Sequence, residues 1–204
     1  MKKLVFLFCV NIFFFITCKG QEKQDYFEEG KLEMANQNFP EAISLFSKSI
    51  ENKTQVSESY FARGLCRNLT KDYKNAVSDF NNSEKLGNND VKLYTLRGFA
   101  LNQIEKNAEA LEDLNKAISI NPDFYIKNFY NRGALEVRLN KLDDALKDFD
   151  IYIEQTNDPI AYLERGKVQY YLDNHKKACS DFEYAFSNGI KNEEVLKLKN
   201  KICN

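Results

Sequence analysis

One histidine, no tryptophan, three prolines and eight glycines are spread over 204 residues, and each scarcity removes something. General acid-base and nucleophilic catalysis need a base within hydrogen-bond reach of its partner, and His175 is the only imidazole available. No Gly-rich phosphate loop, H-E-x-x-H or C-x-x-C is present, so nucleotide, zinc-protease and redox-motif readings have no support. The expectation is a chain that is not an enzyme, with no cofactor, no metal and no small-molecule substrate. An excess of positive charge is missing too. With 29 Lys and Arg against 30 Asp and Glu the net charge is −1, without the basic surface that phosphate-backbone binding uses, so nucleic acid is not an expected partner. Disorder is not expected either, since 43% of the residues are hydrophobic.

Only one long apolar run occurs, and it lies at the start. Met1, Lys2 and Lys3 precede the 13 residues from Leu4 to Ile16, interrupted only by Asn11, and charged polar sequence follows from Lys19. That order is a secretory signal pattern, and the run is short of the roughly 20 residues a spanning helix needs. Directly after it comes Phe15-Ile16-Thr17-Cys18, which resembles a bacterial lipoprotein signal, although that family favours Leu and a small residue where Phe15 and Thr17 stand. The resemblance implies removal of residues 1–17, a lipid on Cys18, a linker over 18–22, and an exported protein of the cell envelope facing periplasm or exterior. An uncleaved apolar anchor and a structural role for Cys18 are the other readings. Without Lys2 and Lys3 the 29 basic residues become 27 against 30 acidic ones, a net charge of −3.

The remaining chain is one unit written five times. Gly30, Gly64, Gly98, Gly133 and Gly166 stand 34, 34, 35 and 33 residues apart, and Ala42, Ala76, Ala110, Ala145 and Ala178 each follow 12 residues later. An aromatic precedes every glycine by four: Tyr26, Tyr60, Tyr94, Phe129 and Tyr162. A large apolar residue follows every alanine by four: Phe46, Phe80, Leu114, Phe149 and Phe182. A spacing of four is helical, and small residues facing each other let two antiparallel helices approach closely while the large ones fill the space beside them.

This period and pattern resemble the tetratricopeptide repeat (TPR), with Tyr or Phe in place of the family's signature Trp. The implied fold is all-α, a right-handed α-solenoid of five helix-turn-helix repeats over 23–192, divided as 23–56, 57–90, 91–124, 126–159 and 159–192. The segment 193–204 reads as a capping helix, with Val195, Leu198 and Ile202 on one face to cover the last apolar surface. Pro40 suits the start of a second helix, and Pro122, Gly87 and Gly189 suit the ends of others.

Polar side chains repeat as well. Arg63, Arg97, Arg132 and Arg165 each precede an aspartate by 16 residues, namely Asp79, Asp113, Asp148 and Asp181, while repeat one has Glu29 and Leu45 instead. Either the two meet inside one repeat as a partly buried ion pair, or each Asp meets the first helix of the next repeat. His175 occupies the slot of Phe39, Tyr73 and Leu142 and reads as a packing ring at a turn. Cys66 takes the slot of Leu32, Ala100, Leu135 and Val168, which is apolar. Cys179 and Cys203 are a possible disulfide in an exported protein, or two thiols.

Ligands of this family lie along the first helices. Carried over position by position, the resemblance implies a partner groove containing Phe27, Lys31, Phe61, Leu65, Lys92, Phe99, Lys127, Tyr130, Arg138, Leu163, Lys167 and Tyr170. The competing reading is that several of these rings simply pack between helices. Aromatics stand where the family's carboxylate-clamp members carry Lys and Asn, so recognition of a chaperone tail does not transfer. The expected function is a non-catalytic, membrane-anchored adaptor that binds a mixed apolar and acidic segment of another protein. The alternative is a structural subunit of an envelope assembly, contacting neighbours by its convex face or capped end.

Overall fold

The computed structural model describes residues 25–203, which excludes the signal segment and Cys18. Eleven α-helices and no strands are found among the described residues. They succeed one another as five antiparallel hairpins: α1 (Tyr26–Ala35) with α2 (Phe39–Glu51), α3 (Val56–Leu69) with α4 (Tyr73–Lys85), α5 (Val91–Gln103) with α6 (Asn107–Ile120), α7 (Lys127–Arg138) with α8 (Leu142–Thr156), and α9 (Pro159–Tyr171) with α10 (His175–Ser187). A single helix, α11 (Glu193–Ile202), ends the stack.

Inside every hairpin the chain reverses at one left-handed residue: Gln37, Lys71, Glu105, Asn140 or Asp173, with φ between 58° and 64°. The following amide then reaches back to the carbonyl three residues after the repeat's glycine. The bonds run from Asn38 to Glu33 (2.9 Å), Asp72 to Arg67 (2.8 Å), Lys106 to Leu101 (2.9 Å), Lys141 to Glu136 (2.8 Å) and Asn174 to Gln169 (2.9 Å). This closure satisfies carbonyls that the helix end leaves open. None of the five uses glycine, whereas after α4 and α10 the residues with positive φ are Gly87 and Gly189 (97° and 89°).

The glycine and aromatic series meet across each hairpin. A methyl group on Gly30, Gly64 or Gly166 would stand 2.7, 2.9 or 2.7 Å from a ring carbon of Phe46, Phe80 or Phe182, and all three rings are wholly buried. Each aromatic thus fills the space that its glycine leaves empty. Cores of this kind repeat along the stack, each shared with the neighbouring hairpin, so burial is one-dimensional and the last unit needs a cover. That cover is α11, whose Val195 is buried with Leu163, Ala178, Phe182 and Ala185. Cys203 at its end is bonded to Cys179 of α10, with Cα atoms 5.4 Å apart.

Each arginine pairs within its own repeat. Arg63 with Asp79, Arg97 with Asp113, Arg132 with Asp148 and Arg165 with Asp181 form two-pronged contacts of 2.6 to 2.9 Å. The remaining nitrogen of every guanidinium crosses to the second helix of the preceding repeat, reaching Ser47, Asn81, Asn115 and Asp150 at 2.6 to 2.9 Å. One side chain therefore ties three helices. Repeat one carries Glu29 at this position.

Candidate functional site

First helices lie side by side in the stack, with α3 touching α5, α5 touching α7 and α7 touching α9. Over the first three of these lies an open apolar cleft of about 670 Å³, lined by Phe61, Leu65, Lys92, Thr95, Leu96, Phe99, Phe124, Tyr125, Lys127, Tyr130 and Asn131. The helical period sets this lining. Residues at the second, fifth, sixth and ninth positions of a repeat fall on one face of its first helix, away from the glycine stripe that packs on the second. The outer wall is different, because Phe124 and Tyr125 belong to the connection between α6 and α7.

Six expected groove residues share this cleft: Phe61, Leu65, Lys92, Phe99, Lys127 and Tyr130. Some rings also serve the core. Phe61 is tilted against Phe80 with centroids 5.9 Å apart, and Tyr130 lies 5.8 Å from Phe149 and 5.3 Å from Tyr152. Burial, reinforced by Glu164 and Asp158, pushes the Tyr130 phenol up to about 12, so it stays protonated. Phe99 is 41% exposed, Phe124 38% and Tyr125 44%, which leaves aromatic surface in the cleft open to solvent.

The other six do not join it. Phe27 packs on Phe46 at 5.8 Å, and Lys31 is held by Glu28 at 2.9 Å. Arg138 donates to Asn102 at 2.7 Å beside a separate polar depression. Lys167 pairs with Glu164 at 2.8 Å. Leu163 corrects the expectation of a groove position: it is 5% exposed, because α11 covers it where a sixth first helix would otherwise lie. Tyr170 lines a small hollow near the cap with Tyr171, Asp173, His175, Lys201 and Ile202.

Lys92 and Lys127 are thus set apart. Both are exposed, neither ammonium has a carboxylate partner among the described residues, and the lining contains no Asp or Glu. The cleft can bury apolar side chains and attract negative charge. His175 is half-exposed at the start of α10, 5.7 Å from the ring of Tyr170 and 3.9 Å from Asp173. Cys66 is fully buried, and burial pushes its thiol up to about 11. Among the described residues no group of side chains has the makings of a metal site, and no helix is long and apolar enough to cross a membrane.

Sequence reasoning missed Phe124 and Tyr125. A signal was available in the one interval of 35 residues, between Gly98 and Gly133, which places an additional residue in this connection.

Residues 91–124, the third repeat, match the tetratricopeptide repeat family profile. No curated protein sequence matches the chain. Among solved structures the chain is similar to YrrB, described as a TPR protein with an unusual peptide-binding site, at a TM-score of 0.80 and 20% identity over 90% of this chain and 95% of that one. MamA from Desulfovibrio magneticus RS-1 superimposes at 0.72, with 18% identity over 79% and 92% of the two chains. The C-terminal part of a TPR repeat-containing protein from Cytophaga hutchinsonii gives 0.68 and 21%, over 79% of this chain and 64% of that one. At these identities the likeness speaks for architecture, and the architecture of this chain is that of a TPR solenoid, five helix-turn-helix repeats closed by a capping helix.

Proposed function

We propose that the protein is a non-catalytic adaptor that holds a segment of a partner protein in the cleft over α3, α5 and α7. The observation that carries this reading is the pairing of exposed Phe99, Phe124 and Tyr125 with Lys92 and Lys127, whose ammonium groups make no ion pair among the described residues. Apolar walls give affinity without direction, and unpaired lysines steer and orient, so the partner segment mixes apolar with acidic residues. The peptide-binding site named for YrrB, on the same architecture, supports a peptide-like occupant. Anchoring by a lipid on Cys18 at the cell envelope belongs to the same proposal. It rests on the sequence around Cys18, outside the described residues.

A photo-cross-linking amino acid placed at Phe99 in the native cell tests the cleft, with exposed Glu112 of α6 as the control position. The expected result is a discrete cross-linked protein from position 99 and none from 112. Cross-links from 112 alone would move the contact to the second-helix face and favour a structural subunit of an assembly. For the anchor, a fatty-acid analogue should label the wild type and leave Cys18→Ser unlabelled; equal labelling of both would end the lipoprotein reading.

A further inference from the structure

The cap is held by little besides its covalent bond. α11 has ten residues, of which only Val195 is fully buried, and a helix of that length is marginal in water without tertiary support. It does two things at the end of the stack. Val195 closes the apolar cluster of Leu163, Ala178, Phe182 and Ala185, while Lys201 and Ile202 complete the hollow whose other residues are Tyr170, Tyr171, Asp173 and His175. The next residue is Cys203, which the disulfide fixes to Cys179 of α10. Both cysteines are only partly buried, whereas Cys66, the one free cysteine among the described residues, is fully buried on α3 and offers no exchange partner.

We propose that Cys179 and Cys203 form a redox latch that governs whether α11 stays docked. A thiolate of a dithiol reductant attacks one sulfur, the bond between the cysteines breaks by way of a mixed disulfide, and the second thiolate of the reductant closes its own disulfide. Two electrons pass to the protein, and two protons end on its thiols. Docking of α11 then rests on Val195 and the partly buried Leu198 and Ile202. The lost bond spans a sequence separation of 24, which in the entropic account shifts the equilibrium between docked and released helix on the order of a hundredfold. Release uncovers the cluster around Phe182 and takes one side from the hollow. Earlier repeats are spared, since a solenoid transmits stability mainly between neighbours. Oxidation of the two thiols closes the latch again.

His175 is the only histidine of the chain, so its imidazole is a single NMR reporter of the hollow that α11 completes. Full-length protein in detergent micelles, isotope-labelled at histidine, is compared before and after dithiothreitol, with hydrogen exchange read on the same samples. Reduction should move the His175 signal and speed exchange in α11 on the order of a hundredfold while α3 to α6 keep their protection, and reoxidation should restore both. The double variant Cys179→Ala with Cys203→Ala should show the reduced behaviour with or without dithiothreitol. If dithiothreitol leaves Cys179 and Cys203 unreactive to iodoacetamide, the bond is out of reach and the latch is overturned. An unmoved His175 signal with unchanged exchange in the reduced protein overturns it too, because the apolar contacts alone would then hold the cap. A response of the double variant to dithiothreitol, or faster exchange throughout α3 to α6, does the same.

Discussion

Arg97 grips Asp113 with two parallel hydrogen bonds of 2.7 and 2.8 Å, although 16 residues separate them in sequence. Both side chains are almost fully buried, and the third nitrogen of Arg97 crosses to Asn81 of the preceding repeat at 2.8 Å. Loss of either partner strands a charge in a dry interior. Arg97→Met is expected to lower the unfolding free energy by about 3–5 kcal/mol. Lys106→Met, which breaks a half-exposed pair with Glu109, is expected to change it by less than about 1 kcal/mol. Urea melts of the two variants check the contrast, and equal midpoints would show that the guanidinium does not tie the repeats.

The glycines offer a graded test of close packing. A methyl group at Gly166 meets a Phe182 ring carbon at 2.7 Å and the Asp181 Cβ at 3.1 Å, and the ring is fully buried and has no room to yield. At Gly98 the nearest atom is Leu114 Cγ at 3.3 Å. Replacing a helical glycine by alanine gains about 1 kcal/mol in propensity, while overpacking a tight site costs about 1–3 kcal/mol. Gly98→Ala should thus fall near neutral and Gly166→Ala should destabilise, and thermal melts that rank them the other way would contradict the packing described.

How much of this was legible in the sequence follows from what repeats. The glycine, alanine and aromatic series encode contacts within a hairpin, and five copies make the register plain even at Phe129, where the ring type changes. The arginine and aspartate series offered the pair within one repeat as one of two readings and gave no sign of the second contact to Ser47, Asn81, Asn115 and Asp150, because these polar types vary from copy to copy. Gln37, Lys71, Glu105, Asn140 and Asp173 share no residue type at all. Their left-handed backbone is imposed by the hairpin closure, so no composition signal marks it. The cleft was half legible: its floor follows helical periodicity, whereas its Phe124 and Tyr125 wall breaks the repeat, and Leu163 was lost to a cap whose docking no single repeat encodes.

Glu136 introduces a pH dependence. It occupies the position where repeat two carries Arg67, which donates to Asp79 at 2.6 Å; Glu136 instead faces Asp148 with one carboxylate oxygen buried and unpartnered. Burial, then repulsion from Asp148, pushes its carboxyl up to about 7. The folded state therefore holds this proton more tightly than the unfolded chain, whose glutamate titrates near its ordinary value. The associated stabilisation is fully present below that ordinary value and is lost as pH rises through about 7. Glu136→Gln keeps the neutral shape at every pH. It should match the wild type near pH 4 and exceed it at pH 8 by on the order of 1 kcal/mol, read from urea midpoints. A wild-type advantage at pH 8 would mean that the carboxylate has a partner in solution.

The cap has its own stability. Only Val195 of α11 is buried, and the bond from Cys203 to Cys179 closes a loop over a sequence separation of 24 residues. Such a loop constrains the unfolded chain by about 3 kcal/mol in the entropic account. Cys203→Ser should speed hydrogen exchange across α11 and around Phe182 and leave α3 to α6 unchanged, since a solenoid transmits stability mainly between neighbours. Uniform acceleration along the chain would show that the cap controls the whole stack.

Phe124 and Tyr125 separate binding from folding. Both are exposed, and neither belongs to the buried clusters that hold the repeats together, so Phe124→Ala with Tyr125→Ala should leave the urea midpoint within about 0.5 kcal/mol of wild type. The same change strips one wall from the cleft. A peptide selected on the wild-type protein should bind the double variant at least about tenfold more weakly, because aromatic anchors dominate interface energies. Salt should act on the other half of the contact. Lys92 and Lys127 are screened over about 8 Å at physiological ionic strength, so raising salt should slow association with wild type and double variant alike, while the aromatic loss appears as faster dissociation. Stopped-flow rates at low and high salt resolve the two. If the double variant lost association rate instead, the aromatic wall would be steering the encounter, and the division of labour between rings and lysines would be wrong.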